Sequence, residues 1–157
     1  MNISPGGIPK RAIAEASVTP EGIRGDNWAH PRIHGVPLQA ILIFCEEVIE
    51  ELRAEGYPVF FGALGENFTV RGLDHRQLRI GQRFRAGETL IELTKIRAPC
   101  ETLDVYSPSI KASIYDRAVK AGDTSSPRWA RSGVYAAVIR PGTVRANDRI
   151  VLVDAAV

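Results

Sequence analysis

Apolar and polar positions follow one another in short runs, broken repeatedly by glycine and proline. Residues 12–18 alternate loosely and run into Thr19-Pro20-Glu21-Gly22, a turn by its residue types. Residues 38–44 are almost continuously apolar and predict a buried strand. Residues 88–97 predict a second strong strand: Leu90, Ile91, Leu93 and Ile96 sit among polar neighbours after the turn signal Ala86-Gly87. Two more strands are predicted over 134–139 and 149–153, with Pro141-Gly142 and Asn147-Asp148 as breaks.

One helical pattern is clear. Cys45, Val48, Ile49 and Leu52 fall at i, i+3, i+4 and i+7, with Glu46, Glu47, Glu50, Glu51 and Arg53 on the other face. Gly56 and Pro58 end it. A weaker helix is predicted over 109–120, with Ile110, Ile114 and Ala118 on one side and Gly122 after it. Many short strands with few helices predict a mainly β barrel or sandwich carrying small helices. Helical segments do not alternate with the strands, so a parallel α/β sheet is not expected.

The chain has 157 residues and shows no internal repeat or linker-like shift, so a single domain is expected. Its 45% apolar and 24% charged composition is that of an ordinary globular protein. The longest apolar run, residues 40–45, falls far short of the roughly 20 residues a membrane helix requires. Residues 1–30 carry Pro5, Pro9, Pro20 and several charges but no apolar stretch of signal-peptide length. A formal charge of +2 is too small to argue for nucleic acid as a partner. Arg71, Arg76, Arg79, Arg83 and Arg85 crowd one stretch and read as a solvated strand face, with phosphate binding as the alternative.

Two cysteines supply neither a disulfide framework nor the four thiolates of an iron–sulfur cluster. The expected setting is reducing and cytoplasmic, and electrons for any redox chemistry must come from elsewhere. The two thiols are not equivalent. Cys45 lies on the apolar stripe of the predicted helix, where a thiol behaves as a small hydrophobe. Cys100 follows Arg97-Ala98-Pro99 and precedes Glu101-Thr102-Leu103, where proline stops the strand and the chain turns. A thiol there can face a cavity, and a converging Arg97 would favour its thiolate. The thiolate is the form that ligates a soft metal or takes up sulfur; a buried inert thiol is the plain alternative.

Five ordered segments then carry a resemblance. Gly22-Ile23-Arg24-Gly25-Asp26 with His34-Gly35 resembles the opening signature of MOSC domains, found at the C-terminus of molybdenum cofactor sulfurases. The stretch from Gly62 through Gly65-Glu66-Asn67 to Val70 is similar to the family's Gly-Glu-Asn-Leu region, and residues 80–93 to the hairpin that leads to its cysteine. Arg97-Ala98-Pro99-Cys100 matches the family's Arg-x-Pro-Cys, while residues 133–142 with Asn147-Asp148 resemble its closing strand pair. The matches run from about residue 22 to 150. The resemblance implies a compact β-barrel with an irregular open side. It also implies a cysteine, here Cys100, that carries sulfur for the molybdenum cofactor or ligates its metal. One departure stands out: Val36 replaces the second glycine of the family's His-Gly-Gly. Valine does not readily adopt the positive φ or the close approach that glycine permits, which bears on any ligand contact at that turn.

The remaining candidates follow from what a phosphorylated pterin requires. Forked cations hold an oxyanion with two donors, and Arg97, Arg128 and Arg131 are the candidates, the last two in the polar loop 125–132. Gly65 would let backbone approach a ligand, and the Asn67 amide can both donate and accept; Glu66 could instead pair structurally with an arginine. His34 is expected to line the pocket because the family pattern places it there. Asp26, His30 and His34 are spaced as zinc ligands on one helix face, but Gly25, Pro31 and Gly35 speak against a helix, and a structural loop is preferred. Trp28 and Trp129 could wall a cavity, although packing is the commoner role. Lys10, Lys95, Lys111 and Lys120 have no pyridoxal phosphate context, so that cofactor would belong to a partner sulfurase.

Three functions compete. The first is a molybdenum-cofactor protein in which Cys100 ligates the metal for reduction of N-hydroxylated compounds, with a separate electron donor, or holds a persulfide supplied by a cysteine desulfurase. The second is a non-catalytic carrier of the pterin or another small anion. The third is a degenerate domain with a structural role.

Overall fold

The structure, a computed structural model, describes residues 1–27 and 37–154. In chain order its elements are β1 (Asn2–Ile3), β2 (Arg11–Ala12), β3 (Glu15–Thr19), β4 (Gly22–Ile23), β5 (Ile41–Cys45), α1 (Glu46–Ala54), β6 (Phe68–Val70), β7 (Arg83–Ala86), β8 (Thr89–Ile96), α2 (Ile110–Ile114), α3 (Arg117–Lys120), β9 (Val134–Arg140), β10 (Gly142–Arg145) and β11 (Ile150–Asp154). Six strands form one sheet in the order β11-β7-β8-β9-β5-β6, which curls into a half-barrel. A second sheet, β10-β3-β4, packs beside it through β3 against β9 and β10 against β8. The mainly β expectation holds.

The predicted strands appear for the reasons their patterns give. In β8, Thr89, Ile91 and Leu93 alternate into the core while Leu90, Glu92 and Thr94 are half-buried. β5 is buried at every position, as a strand covered on both faces must be. It starts at Ile41, because Pro37–Gln39 form a 3-10 turn ahead of it. Among the described residues, no helix is long and apolar enough to cross a membrane.

Two expectations are corrected. Cys45 is the last residue of β5 and the N-cap of α1 rather than part of its stripe, although it is buried as expected. The single helix expected over 109–120 is two: Tyr115 is extended, and Asp116 caps α3 by accepting a hydrogen bond from the Val119 N–H at 2.8 Å. An aspartate side chain competes for backbone N–H groups and so starts helices better than it continues them. One pair in the large sheet is parallel: β5 and β6 lie side by side across α1. Such a pair needs a crossover, and α1 provides it.

Between Leu93 and Lys95 the β8–β9 register shifts, after which Lys95 stands opposite Tyr135. An irregularity of this kind re-aims the side chains that follow it. Beyond it the strand ends at Ile96, next to Arg97 and the turn that bears Cys100.

Candidate functional site

A cavity of about 650 Å³ opens at this end of β8. Its size is within the range of small-molecule sites. Leu42 and Leu64 give it apolar walls, and Lys95, Arg97, Cys100 and Tyr135 bring the polar groups.

Arg97 is the most constrained of these. Its main-chain N–H donates to the Gly133 carbonyl at 3.0 Å, and its carbonyl accepts from Ser132 Oγ at 2.5 Å. Arg97 is 6% exposed, and its Nη1 has no hydrogen-bond partner among the described residues. Burial pushes its pKa down, opposed by Tyr135, Cys100 and Glu66. A buried guanidinium N–H left unmade is costly, so an acceptor arriving in this region would be favoured.

Cys100 is exposed, with its Sγ 2.7 Å from Thr102 Oγ1. Partial burial of the sulfur raises its pKa, but the Thr102 hydroxyl, the Thr102 amide and the Arg97 charge outweigh it and leave the thiol below the ordinary cysteine value. That is the environment of a reactive thiol. Cys45 is its opposite: burial, reinforced by Glu47, Asp74 and Glu51, pushes its pKa up to about 12.

Gly65 and Asn67 also line the cavity, but Asn67 is heavily engaged within the protein. Its Oδ1 accepts from the Leu42 N–H at 3.1 Å, and its Nδ2 donates to Asp26 at 2.7 Å and to the Asn2 carbonyl at 3.4 Å. A Cβ at Gly65 would stand 3.1 Å from Ile8 Cγ2 in a left-handed backbone, so glycine lets these two cavity walls meet. Glu66 is fully buried and does not pair with an arginine. Its Oε1 accepts from the Gly62 N–H at 2.5 Å and from Thr69 Oγ1 at 3.2 Å, while Oε2 has no partner among the described residues. Burial raises its pKa despite these donors.

Arg128 and Arg131, expected beside Arg97, are placed elsewhere. They line a separate hollow of about 680 Å³ with Glu47, Glu51, Asp74 and His75. Arg131 binds Glu51, Glu55 and the Ser113 carbonyl, and Arg128 binds Asp116. Carboxylates on α1 and at the start of α3 hold this loop away from the Cys100 cavity. Trp129 is buried and donates its indole N–H to the Leu78 carbonyl at 2.7 Å, a packing role. Of the crowded arginines, Arg71, Arg76 and Arg83 form ion pairs at the surface with Glu46, Asp74 and Glu92. Trp28, His30, His34 and Val36 lie outside the described residues. Among the described residues, no group of three His, Cys, Asp or Glu side chains could hold a metal.

Sequence reasoning passed over Tyr135, Lys95 and Lys10, all of which line the cavity. Tyr135 sits in an apolar run and looks like core. Lys95 would have required knowledge of the register shift. Lys10 is a lysine that is 7% exposed, and its charge gives no hint of burial.

Known proteins bear on the same region. The family model described as "MOSC domain" matches residues 30–151. Protein YiiM of Escherichia coli is 30% identical over 96% of this chain and 65% of its own length. The uncharacterized protein YflK of Bacillus subtilis is 34% identical over 62% of the chain and 45% of its own. The chain therefore spans about two thirds or less of these relatives. A crystal structure of a hypothetical protein superposes with a TM-score of 0.74 at 26% identity, covering 98% of this chain and 66% of that one. YiiM from Geobacillus stearothermophilus gives 0.70 at 24% identity, covering 94% and 65%, a likeness of fold. The cysteine turn and β8, the strand that leads to it, both fall within the matched span, and the chain belongs to the MOSC domain family.

Proposed function

We propose that the chain binds the molybdenum cofactor, a phosphorylated pterin, in the Cys100 cavity, with the Cys100 thiolate as the group that ligates the metal or carries sulfur for it. The supporting observation is an exposed cysteine held below its usual pKa at the wall of a cavity that also contains a buried cation, Arg97, whose Nη1 has no hydrogen-bond partner among the described residues.

The residues present suit such a ligand. A thiolate is the soft donor that a thiophilic metal prefers. Leu42 and Leu64 offer apolar surface to a flat ring, and Arg97 and Lys95 offer cations to an oxyanion. Bound there, the cofactor would supply two-electron chemistry able to remove oxygen from an N-hydroxylated compound. Thr102 and Arg97 keep the thiolate available, and the main-chain bonds of Arg97 to Ser132 and Gly133 fix the turn on β9. Two cysteines cannot build a four-thiolate cluster within these residues, so in this reading reducing equivalents come from elsewhere, such as a separate donor protein. The exposure of Cys100 favours a second reading, in which a cysteine desulfurase, with pyridoxal phosphate on that partner, loads the thiol as a persulfide.

The test is elemental analysis for molybdenum after expression in a cofactor-producing host, wild type beside Cys100→Ser. Near-stoichiometric metal in the wild type that is absent from the variant supports a metal-ligating Cys100. Equal metal in both supports a carrier that does not need the thiol. No metal in either protein sinks a resident cofactor and directs attention to a persulfide assay on Cys100.

A further inference from the structure

The hollow that holds Arg128 and Arg131 is a second place where charge is left uncommitted. Helix α1 forms one wall with Glu47 and Glu51, residues 72–76 form the next, and Pro127, Arg128 and Arg131 close it. These walls are tied together. Glu47 Oε1 accepts from the Gly72 N–H at 2.7 Å, and Arg131 reaches Glu51 at 3.3 Å. His75 is joined to Trp129, its Nδ1 lying 2.6 Å from that carbonyl oxygen. A space of about 680 Å³ is therefore framed by three segments that hold one another in place.

Its lining carries the carboxylates of Glu47, Glu51 and Asp74 against the guanidiniums of Arg76, Arg128 and Arg131, so the charges balance. Two pairs are closed: Arg76 binds Asp74, and Arg131 binds Glu51. The third is open. Glu47 has no ion pair among the described residues, and its Oε2 is buried there without a hydrogen-bond partner. Arg128 leans the other way, to Asp116 at 3.3 Å, and its Nε is left unpartnered among the same residues. Such unmade hydrogen bonds are costly. His75 adds a further acceptor. A carbonyl oxygen cannot donate, so Nδ1 carries the ring proton and Nε2 keeps its lone pair, with no partner among the described residues.

Acceptors at Glu47 and His75 and a donor at Arg128 reject simple ions. An anion would meet Glu47 and Glu51, and an inorganic cation would meet Arg128 and Arg131. Among the described residues, no three His, Cys, Asp or Glu side chains here could chelate a metal. A ligand with both poles and no net charge satisfies both ends, and Leu73 and Pro127 offer apolar surface to the rest of it.

We infer that this hollow binds a free α-amino acid with an apolar side chain, its ammonium on Glu47 and His75 Nε2 and its carboxylate on the Arg128 guanidinium. The site is separate from the Cys100 cavity, and its occupancy does not depend on molybdenum.

Calorimetric titration of the unaltered chain with L-leucine, with isoamylamine (leucine without its carboxylate) and with isocaproate (leucine without its ammonium) tests it. Leucine should bind, and each truncated probe should bind about tenfold or more weakly, the loss of a charge-assisted hydrogen bond. Arg128→Gln and Glu47→Gln should each weaken leucine binding by a similar factor, the latter because an amide keeps the Gly72 contact but not the charge. Cys100→Ser should bind leucine like wild type. A wild type that does not bind leucine overturns the inference, as does either truncated probe binding as tightly as leucine. Folded Arg128 and Glu47 variants that bind like wild type overturn it too, and so does a Cys100→Ser variant that loses leucine, which would move the binding to the other cavity. Should the hollow variants not fold, the His75 ring-nitrogen resonances of the unaltered protein decide. They should shift saturably with leucine, and an unmoved His75 signal overturns the inference.

Discussion

Glu66→Gln isolates the cost of a buried acid in this fold. Glu66 is fully buried, with two donors on Oε1 and none on Oε2 among the described residues. Burial raises its pKa above the usual carboxylate value of 4.5, although Lys10 and Arg97 lie near enough to feel its charge. A raised folded-state pKa means that the folded protein binds the proton more tightly than the unfolded chain. The associated stability is fully present below pH 4.5 and is lost as pH rises towards the folded-state pKa. Across that window each pH unit costs about 1.4 kcal/mol. Glutamine is close in shape to the protonated acid and does not titrate. Near pH 4.5 the two proteins should agree to within about 1 kcal/mol, the worth of one hydrogen bond. With rising pH the wild type should fall behind the variant until the Glu66 proton is lost from the fold. Urea denaturation of both proteins from pH 4.5 to 8 reads the difference directly, because every other titrating group is shared. A difference that stays flat, or that grows in favour of the wild type, would refute the argument.

Other outcomes follow from contacts around the same cavity. Gly62→Ala forces a side chain into a left-handed backbone against the Lys10 carbonyl, and should cost more than about 2 kcal/mol in urea denaturation; an unchanged midpoint would mean that residues 6–10 shift freely. Arg97→Met removes a charge that favours the Cys100 thiolate, so the pH profile of iodoacetamide alkylation should move upwards, and a static profile would leave Thr102 as the sole cause. Native protein at pH 8 should alkylate at Cys100 and spare Cys45, whose pKa is pushed up to about 12, until urea exposes it; mass spectrometry of the adducts checks this.

What the sequence disclosed was local. The alternation through Leu90, Ile91 and Leu93 marked β8, and Pro99 marked its end, so the position of Cys100 on a turn could be read directly, whereas its exposure needed the fold. Pairing was harder. Nothing in residues 68–70 says that they lie parallel to β5, because that contact is made across a helix and a long loop. The break at Asp116 was missed because Ile110, Ile114 and Ala118 keep a helical spacing straight through it. Arg128 and Arg131 were misplaced for a related reason: their partners, Asp116, Glu51 and Glu55, are settled by tertiary packing. Lys10 was overlooked as a cavity residue because a buried charge looks no different from a solvated one until the fold surrounds it.

The two main-chain bonds of Arg97 have a consequence for how this surface can change. They tie the end of β8 to Ser132 and Gly133, directly before β9. Residues 98–107 therefore hang from an anchored point, and exposed Glu101, Thr102 and Val105 can be exchanged without disturbing the sheet. Exchanges confined to those positions should retune what the turn recognises while the barrel keeps its melting temperature. This segment is thus a natural place for relatives to diverge in specificity, and for a designer to graft a new one.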